Sequence, residues 1–197
     1  LQWGERILNF VNFPCSEVLG ANASVDQIKA LINKHKSIFI KPIFRGGIGK
    51  KGKSGLVGQA DNIEDALKEK ERLYFVEHQL GNSNAKAFGV TYEASIPAQH
   101  EVYFSITDDT RYRTSTVTIT HHGGVDIEEL PKEKMRVIPF DPLTGFKSYH
   151  VSNALTELKA PAEIISPLVQ YLPKLWDLFH NFGMNLLELN PIRMMVN

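Results

Sequence analysis

Apolar residues change their spacing several times along this chain, and each change marks an element. Ser24-Val25-Asp26-Gln27 has the spacing of a capping box, and Ile28, Leu31 and Ile32 follow at helical intervals, which predicts a helix over 24–35. Ser37 to Lys41 (SIFIK) reads as a strand, and Ser54 to Gly58 as a second one, because two glycines and a valine disfavour a helix there. Asp61 to Lys70 predicts a charged surface helix with Ile63, Ala66 and Leu67 inward. Arg72 to His78 then reads as a strand, Gly81 to Asn84 as a turn, and Phe88 to Tyr92 as a short strand. The alternation describes a small α+β lobe.

Past residues 93–97 the texture changes. Glu101 to Thr107 and Thr114 to Thr120 alternate with period two, as antiparallel strands do, around an expected turn at Asp108-Asp109. From Pro161 to Phe182 an apolar stripe (Ile164, Ile165, Leu168, Val169, Leu172, Leu175, Trp176, Phe179) recurs at helical spacing, with Pro167 and Pro173 expected to break or kink it. Gly183 can end that run, and Asn185 to Asn190 (NLLELN) reads as a buried strand. The expected organisation is an N-terminal lobe over 1–95 and a C-terminal lobe over 96–197, the second incomplete at its C-terminal end.

Composition narrows the function classes. The 197 residues hold 22 basic and 22 acidic side chains, so long-range attraction to nucleic acid or an anionic membrane is not encoded and an anion site must be local. With 43% hydrophobic residues the chain can bury a real core. The lone Cys15 excludes an internal disulfide, fits a reducing compartment, and reads as a small packed residue. No apolar run approaches the roughly 18 residues of a membrane span, and no signal peptide is visible, so a cytoplasmic protein is expected. The chain starts at Leu1 without Met and stops at Met194-Met195-Val196-Asn197, which reads as a piece of something longer.

Candidate chemistry concentrates in Lys41 to Gly58 (KPIFRGGIGKKGKSGLVG). Gly46, Gly47, Gly49 and Gly52 allow close backbone approach, and Lys50, Lys51 and Lys53 add charge, as in a loop that holds polyphosphate. Gly47 to Ser54 also satisfies the P-loop pattern, which requires a helix to open at Ser54; a merely solvated basic turn is the other alternative. Glu188 and Asn190 are two apart and share a strand face, where a hard cation can use their oxygens; an exposed strand edge is the plainer alternative. Glu93 and Glu101 bracket the lobe junction. His121 and His122, adjacent on a strand, should face opposite sides and chelate poorly, and Gly123-Gly124 after them reads as a tight turn.

Taken in order, Lys41, GKKGKSGLVG (49–58), Glu93, Glu101, HGGVDIEE (122–129), DPLTG (141–145) and LLELNPI (186–192) resemble the ATP-grasp region of the acyl-CoA synthetase superfamily. The resemblance covers about three quarters of the chain. Within that superfamily, KGKSGLVG and HGGVD are more similar to the ATP-citrate lyase family than to the succinyl-CoA synthetase β subunits. What it implies is an α+β ATP-grasp fold, two lobes clasping Mg2+ and ATP, and transfer of phosphate to a histidine on a partner. Lys41 would contact the α/β-phosphates, and Lys51, Gly52 and Lys53 would lie over them. Glu93, Ala94 and Ile96 would meet adenine through backbone groups, and Glu101 would accept the ribose hydroxyls. Asn190 would be a magnesium ligand, and Glu188 the catalytic carboxylate facing the phosphohistidine. The citrate- and CoA-binding, phosphohistidine-bearing domain or subunit is expected elsewhere, in a hetero-oligomer.

Three departures accompany the resemblance. His122 stands where many relatives carry Glu, a second magnesium-binding Asp would fall beyond Asn197, and no Gly-His-Ala-Gly-like segment is present. The alternatives are a β-type subunit of a succinate- or malate-CoA ligase, in another class an ATP-binding regulatory module that transfers nothing, and third a P-loop phosphohydrolase, which a helix beginning at Ser54 would support.

Overall fold

The computed structural model describes residues 2–45, 55–80, 83–124 and 127–195. The Gly/Lys-rich stretch from Gly46 to Ser54, with the cofactor-binding candidates Lys51, Gly52 and Lys53, lies outside them, as do Gly81 and Asn82 of the expected turn. The chain divides into two compact units, residues 1–6 with 15–96 and residues 7–14 with 97–197. The segment 7–14, read from sequence as part of the first lobe, thus belongs with the second. Phe13 explains why, since it is buried in the second unit's core.

The helix α1 (Gln2–Asn9) opens the chain, followed by β1 (Val18–Leu19), α2 (Val25–His35), β2 (Ile38–Pro42) and β3 (Gly58–Ala60). Next come α3 (Ile63–Tyr74), the β4 (Glu77–Leu80) and β5 (Ser83–Lys86) pair, and β6 (Val90–Ala94). The main sheet of the first unit has the order β1-β6-β2-β3, all neighbours antiparallel, so β2 and β6 are central. Ser24 and Gln27 form the expected reciprocal cap of α2, which ends at Lys36 in the left-handed region. Ile28, Leu31 and Ile32 from α2 and Ala66 and Leu73 from α3 pack with Ile38, Ile40, Val90, Tyr92 and Ala94 of the sheet.

Three expectations shift here. α3 starts after Asn62, whose side chain accepts the Asp65 N–H as N-cap, and it runs through Arg72 to Tyr74. Leu73 extends the Ala66 stripe into the core and Arg72 ties back to Glu69, so the expected strand shrinks to Glu77–Leu80. The strand expected at Phe88 begins at Val90, where β6 enters its register with β2. Finally, the strand expected over 54–58 starts only at Gly58, because Gly55 lies in a left-handed turn; a strand and not a helix follows the glycine stretch, as expected, and the P-loop alternative is set aside.

The second unit contains β7 (His100–Asp109), β8 (Thr114–Thr120), β9 (Arg136–Pro139), α4 (Ser148–Glu157), α5 (Ala162–Tyr171), α6 (Lys174–Asn181) and β10 (Leu186–Met194). Its sheet has the antiparallel order β10-β7-β8-β9. Val102, Phe104 and Ile106 of β7, Val117 and Ile119 of β8 and Leu187 of β10 share one core with the apolar faces of α4 to α6. Pro167 is carried inside α5, whereas Pro173 caps α6 and separates the two helices. Asp108 and Asp109 complete β7 instead of turning. The Asp109 carboxylate accepts the Arg111 and Tyr112 N–H groups, which moves the turn to 110–113. The segment read as a buried strand is the edge strand β10, longer than expected and exposed at Glu188 and Asn190 while Leu187 is buried. At the edge β10 has a neighbouring strand on one side only, so fewer side chains cover Glu188 and Asn190.

Candidate functional site

Each unit gathers some of the candidate residues. In the first, β2 and β6 alternate, so Ile38 and Ile40 point to the core while Phe39 and Lys41 lie on the other face beside Glu93 and Thr91. The Lys41 ammonium pairs with a Glu93 carboxylate oxygen, and the Ser16 hydroxyl donates to the other oxygen at 3.3 Å. Side-chain exposure is 22% for Lys41 and 17% for Glu93, low enough that neither charge is comfortable without the other. Glu5 joins this neighbourhood, its carboxyl pushed up by burial and then by the Glu93 charge. The Cys15 thiol is pushed up as well, by burial and by Glu5, which disfavours the reactive thiolate. Cys15 is exposed, not packed as expected, because it lies in the connection ahead of β1.

Ala94 ends β6 on the opposite, core-facing side, and Ile96 follows two residues later, partly buried against the same core. The Ala94 N–H donates to Glu17 O at 2.9 Å and the Ser95 N–H to Ser37 O at 3.0 Å, so those two amides are already engaged in the sheet.

The second unit builds a junction where β7 begins and β10 ends. Glu101 and Arg193 are directly opposite in the β7–β10 register, and Arg193 Nε donates to Glu101 Oε1 at 3.2 Å. The turn after β8 closes over this point. The Gly123 N–H donates to Glu101 O at 2.7 Å, and the Gly124 N–H to Asn190 Oδ1 at 2.9 Å. Gly124 has φ +72°, which strains any residue with a Cβ, and a Cβ there would lie 2.0 Å from Glu101 Oε2 and push that carboxylate aside. A Cβ on Gly123 would meet the Val102 backbone at 2.7 Å. The register of β10 slips between Leu189 and Ile192, and the Asn190–Pro191 peptide is cis.

Glu188 of β10 stands opposite Ser105 of β7, and it and Asn190 are both exposed, whereas Leu187 between strand and helices is buried. Their oxygens are the donors a hard cation prefers, and Gly124 fixes the direction of the Asn190 amide oxygen. Among the described residues no group of three or more His, Cys, Asp or Glu could hold a metal. Magnesium is a cation that keeps few protein ligands and takes phosphate and water oxygens for the rest. The histidine pair departs from expectation: β8 ends at Thr120, so the His121 and His122 rings lie 4.2 Å apart and do not face opposite sides. Burial, His121 and Lys134 hold the His122 imidazole below its usual range.

Comparison with known proteins decides the family, because the model of the ATP-grasp domain matches residues 7–194. The chain belongs to the ATP-grasp domain family. The β subunit of ADP-forming succinate–CoA ligase from Desulfatibacillum aliphaticivorans is 31% identical over 153 residues, 76% of this ATP-grasp chain and 40% of the relative. The corresponding subunit from Nitratiruptor is 29% identical, with 39% of its length covered. This chain thus spans about 40% of the curated relatives it matches.

Among solved structures, ATP citrate lyase from Methanothrix soehngenii, in complex with citrate and coenzyme A, shares the fold at a TM-score of 0.67 and 21% identity, covering 98% of this chain and 44% of that one. Acetyl-coenzyme A synthetase 1 from Ca. Korarchaeum cryptofilum, in complex with coenzyme A and a phosphorylated phosphohistidine segment, gives a TM-score of 0.68 at 15% identity, covering 100% of this chain and 86% of that one. These likenesses speak for the fold, the α+β ATP-grasp architecture. The residues that sequence reasoning missed are Ser16, Glu5 and Arg193. Arg193 lies three positions after Asn190, but its pairing with Glu101 depends on a cross-strand register that no local pattern reveals.

Proposed function

We propose that this chain is the nucleotide-binding, phosphoryl-donating part of an enzyme that makes or cleaves acyl-CoA. ATP gives its γ-phosphoryl group to a histidine on a partner domain or subunit, and ADP is released. The bond between the γ-phosphorus and its bridging oxygen breaks as a phosphorus–nitrogen bond forms. Such transfers need alignment and charge neutralisation more than covalent help from the protein. Lys41 supplies a fixed positive charge to the α/β-phosphates, with Lys51, Gly52 and Lys53 over them. Glu93, Ala94 and Ile96 border the base through backbone groups, and Glu101 accepts hydrogen bonds from the ribose hydroxyls. Asn190 holds magnesium, whose chemistry is to neutralise phosphate oxygens. Glu188 faces the incoming imidazole, where its carboxylate accepts a ring N–H and aims the other nitrogen at phosphorus.

One observation carries this reading: Glu188 and Asn190 stand on the open face of β10, with Asn190 fixed by the same glycine turn that lies against Glu101. Labelled ATP mixed with the full-length protein and its partner should place phosphate on a histidine, in an acid-labile and base-stable form. A chain that binds ATP without ever labelling histidine would instead be a regulatory module.

For the acid we favour citrate, because KGKSGLVG and HGGVD resemble the ATP-citrate lyase family and the fold matches an ATP citrate lyase. Succinate is the second reading, supported by the 31% identity to a succinate–CoA ligase β subunit. ADP release that requires coenzyme A together with citrate, and not with succinate or malate, would decide between them.

A further inference from the structure

The junction in the second unit contains Arg193, which the proposed function gives no task, and the Gly123-Gly124 turn, which it uses only to fix Asn190. Glu101 is surrounded in a way that fixes its carboxylate. Oε1 receives the Arg193 Nε–H at 3.2 Å, Oε2 lies where a Cβ of Gly124 would come within 2.0 Å, and the Glu101 carbonyl accepts the Gly123 N–H at 2.7 Å. The turn that closes on Glu101 also donates to Asn190 Oδ1, and Arg193 is on the same strand as Asn190. Both Glu101 and Arg193 have 36% exposed side chains, so burial alone does not hold them.

We propose that Arg193 and the Gly123-Gly124 turn are positioning elements that set the direction of the Glu101 carboxylate and couple it to Asn190, making them determinants of sugar recognition. This inference rests on Glu101 being the ribose contact. Arg193 touches neither substrate nor metal in this role. Its guanidinium occupies one carboxylate oxygen from the side, leaving the carboxylate plane set for a diol. A cis-diol accepts this geometry, and a 2′-deoxy sugar loses one of its two donors. Lysine keeps the charge but lacks the planar fork, so Arg193→Lys should restore only part of the effect.

The test is equilibrium binding of ATP and 2′-deoxy-ATP to the full-length protein, parent and variants, with near-ultraviolet circular dichroism to confirm native packing. The parent should prefer ATP by roughly tenfold or more. In Arg193→Met that preference should fall by roughly fivefold, with Arg193→Lys between the two, and affinity for 2′-deoxy-ATP should change little. Gly124→Ala should erode the preference similarly, because its methyl displaces Glu101. If the parent discriminates and natively packed Arg193→Met discriminates equally, the positioning role is overturned while the ribose assignment stands. If the parent itself does not distinguish the two nucleotides, the ribose assignment falls and takes this inference with it. A uniform loss of affinity for both nucleotides in Arg193→Met also overturns the role, since it would mark a general structural effect.

Discussion

The two units hold their candidate residues by different physics. In the first, Lys41 and Glu93 project from the two central strands of a sheet, and each is mostly shielded from water. In the second, Glu101, Asn190, Glu188 and Arg193 are more exposed, and their geometry comes from main-chain features: a cross-strand register, a glycine turn and an edge strand. A charge pair on central strands is bound up with the stability of its sheet. A junction built from backbone hydrogen bonds is not, so its side chains can change with little effect on folding. The two sets of candidate residues should therefore respond to mutation in different currencies.

Removing the lysine gives the strongest contrast. Lys41→Met takes away a charge at the phosphates and leaves Glu93 half-stranded. We expect nucleotide affinity to fall at least tenfold and stability to fall by about 1–3 kcal/mol. Lys41→Met combined with Glu93→Gln should recover most of the stability, because no unpaired charge remains, and none of the affinity. Calorimetric ATP titration and urea unfolding separate the two quantities. A double variant that regains ATP affinity would show that Lys41 serves only the sheet.

In the second unit the expectation reverses. Asn190→Ala should slow histidine phosphorylation by at least tenfold, while stability changes by less than about 0.5 kcal/mol because the side chain is exposed and water can satisfy the Gly124 N–H. Glu188→Gln should slow capture of phosphate on the histidine and leave ATP affinity nearly unchanged. Single-turnover transfer from labelled ATP measures both. A Glu188→Gln protein that labels its histidine at the parental rate would remove Glu188 from the chemistry.

How far the sequence could be read follows the same division. Elements specified locally were legible: the Ser24–Gln27 cap, the period-two strands β7 and β8, the core stripe through Leu168 and Leu175, and the break at Pro173. The end of α3 was not, because Leu73 to Val76 has the apolar, aromatic composition of a strand and only packing shows Leu73 continuing the helical stripe. The exposure of β10 was hidden for a related reason. An apolar run of that length fits a buried strand or an edge strand equally well, and strand order is a tertiary property. For the site, Lys41, Glu93, Glu101, Glu188 and Asn190 stood out as polar residues in ordered motifs. Their partners Ser16 and Arg193 did not, because a pairing across 77 or 92 positions leaves no periodic trace.

A smaller effect tests whether the first unit's strands depend on local specification. Ser24→Ala removes one half of the reciprocal cap and should cost about 1 kcal/mol, with the loss confined to folding and ATP affinity intact. A drop in affinity after Ser24→Ala would mean that α2 reaches the nucleotide site, against the separation of roles drawn above.

The smallest effect comes from the core beneath Lys41 and Glu93. Among the described residues, Tyr92 is fully buried and its hydroxyl is the one buried side-chain atom without a hydrogen-bond partner. The second unit's buried hydroxyls fare differently: Ser115 donates to Asp108, Thr116 to the Thr107 carbonyl, and Thr120 accepts from the His122 N–H. An unsatisfied hydroxyl contributes nothing to offset its desolvation, so Tyr92→Phe should leave stability at pH 8 unchanged or raise it by up to about 1 kcal/mol. Its ionisation supplies an independent check. Burial, and then Tyr74, push the phenol from an ordinary 10 up to about 12. The neutral form is favoured in the native state, so the full contribution holds below pH 10 and is lost as pH rises through 12. Between pH 9 and pH 11.5 the parent should therefore lose more stability in urea unfolding than Tyr92→Phe, the other tyrosines being common to both. Equal losses would mean that the phenol ionises as readily in the folded chain as in the unfolded one, and a Tyr92→Phe protein that is less stable at pH 8 would mean that the hydroxyl has found a partner.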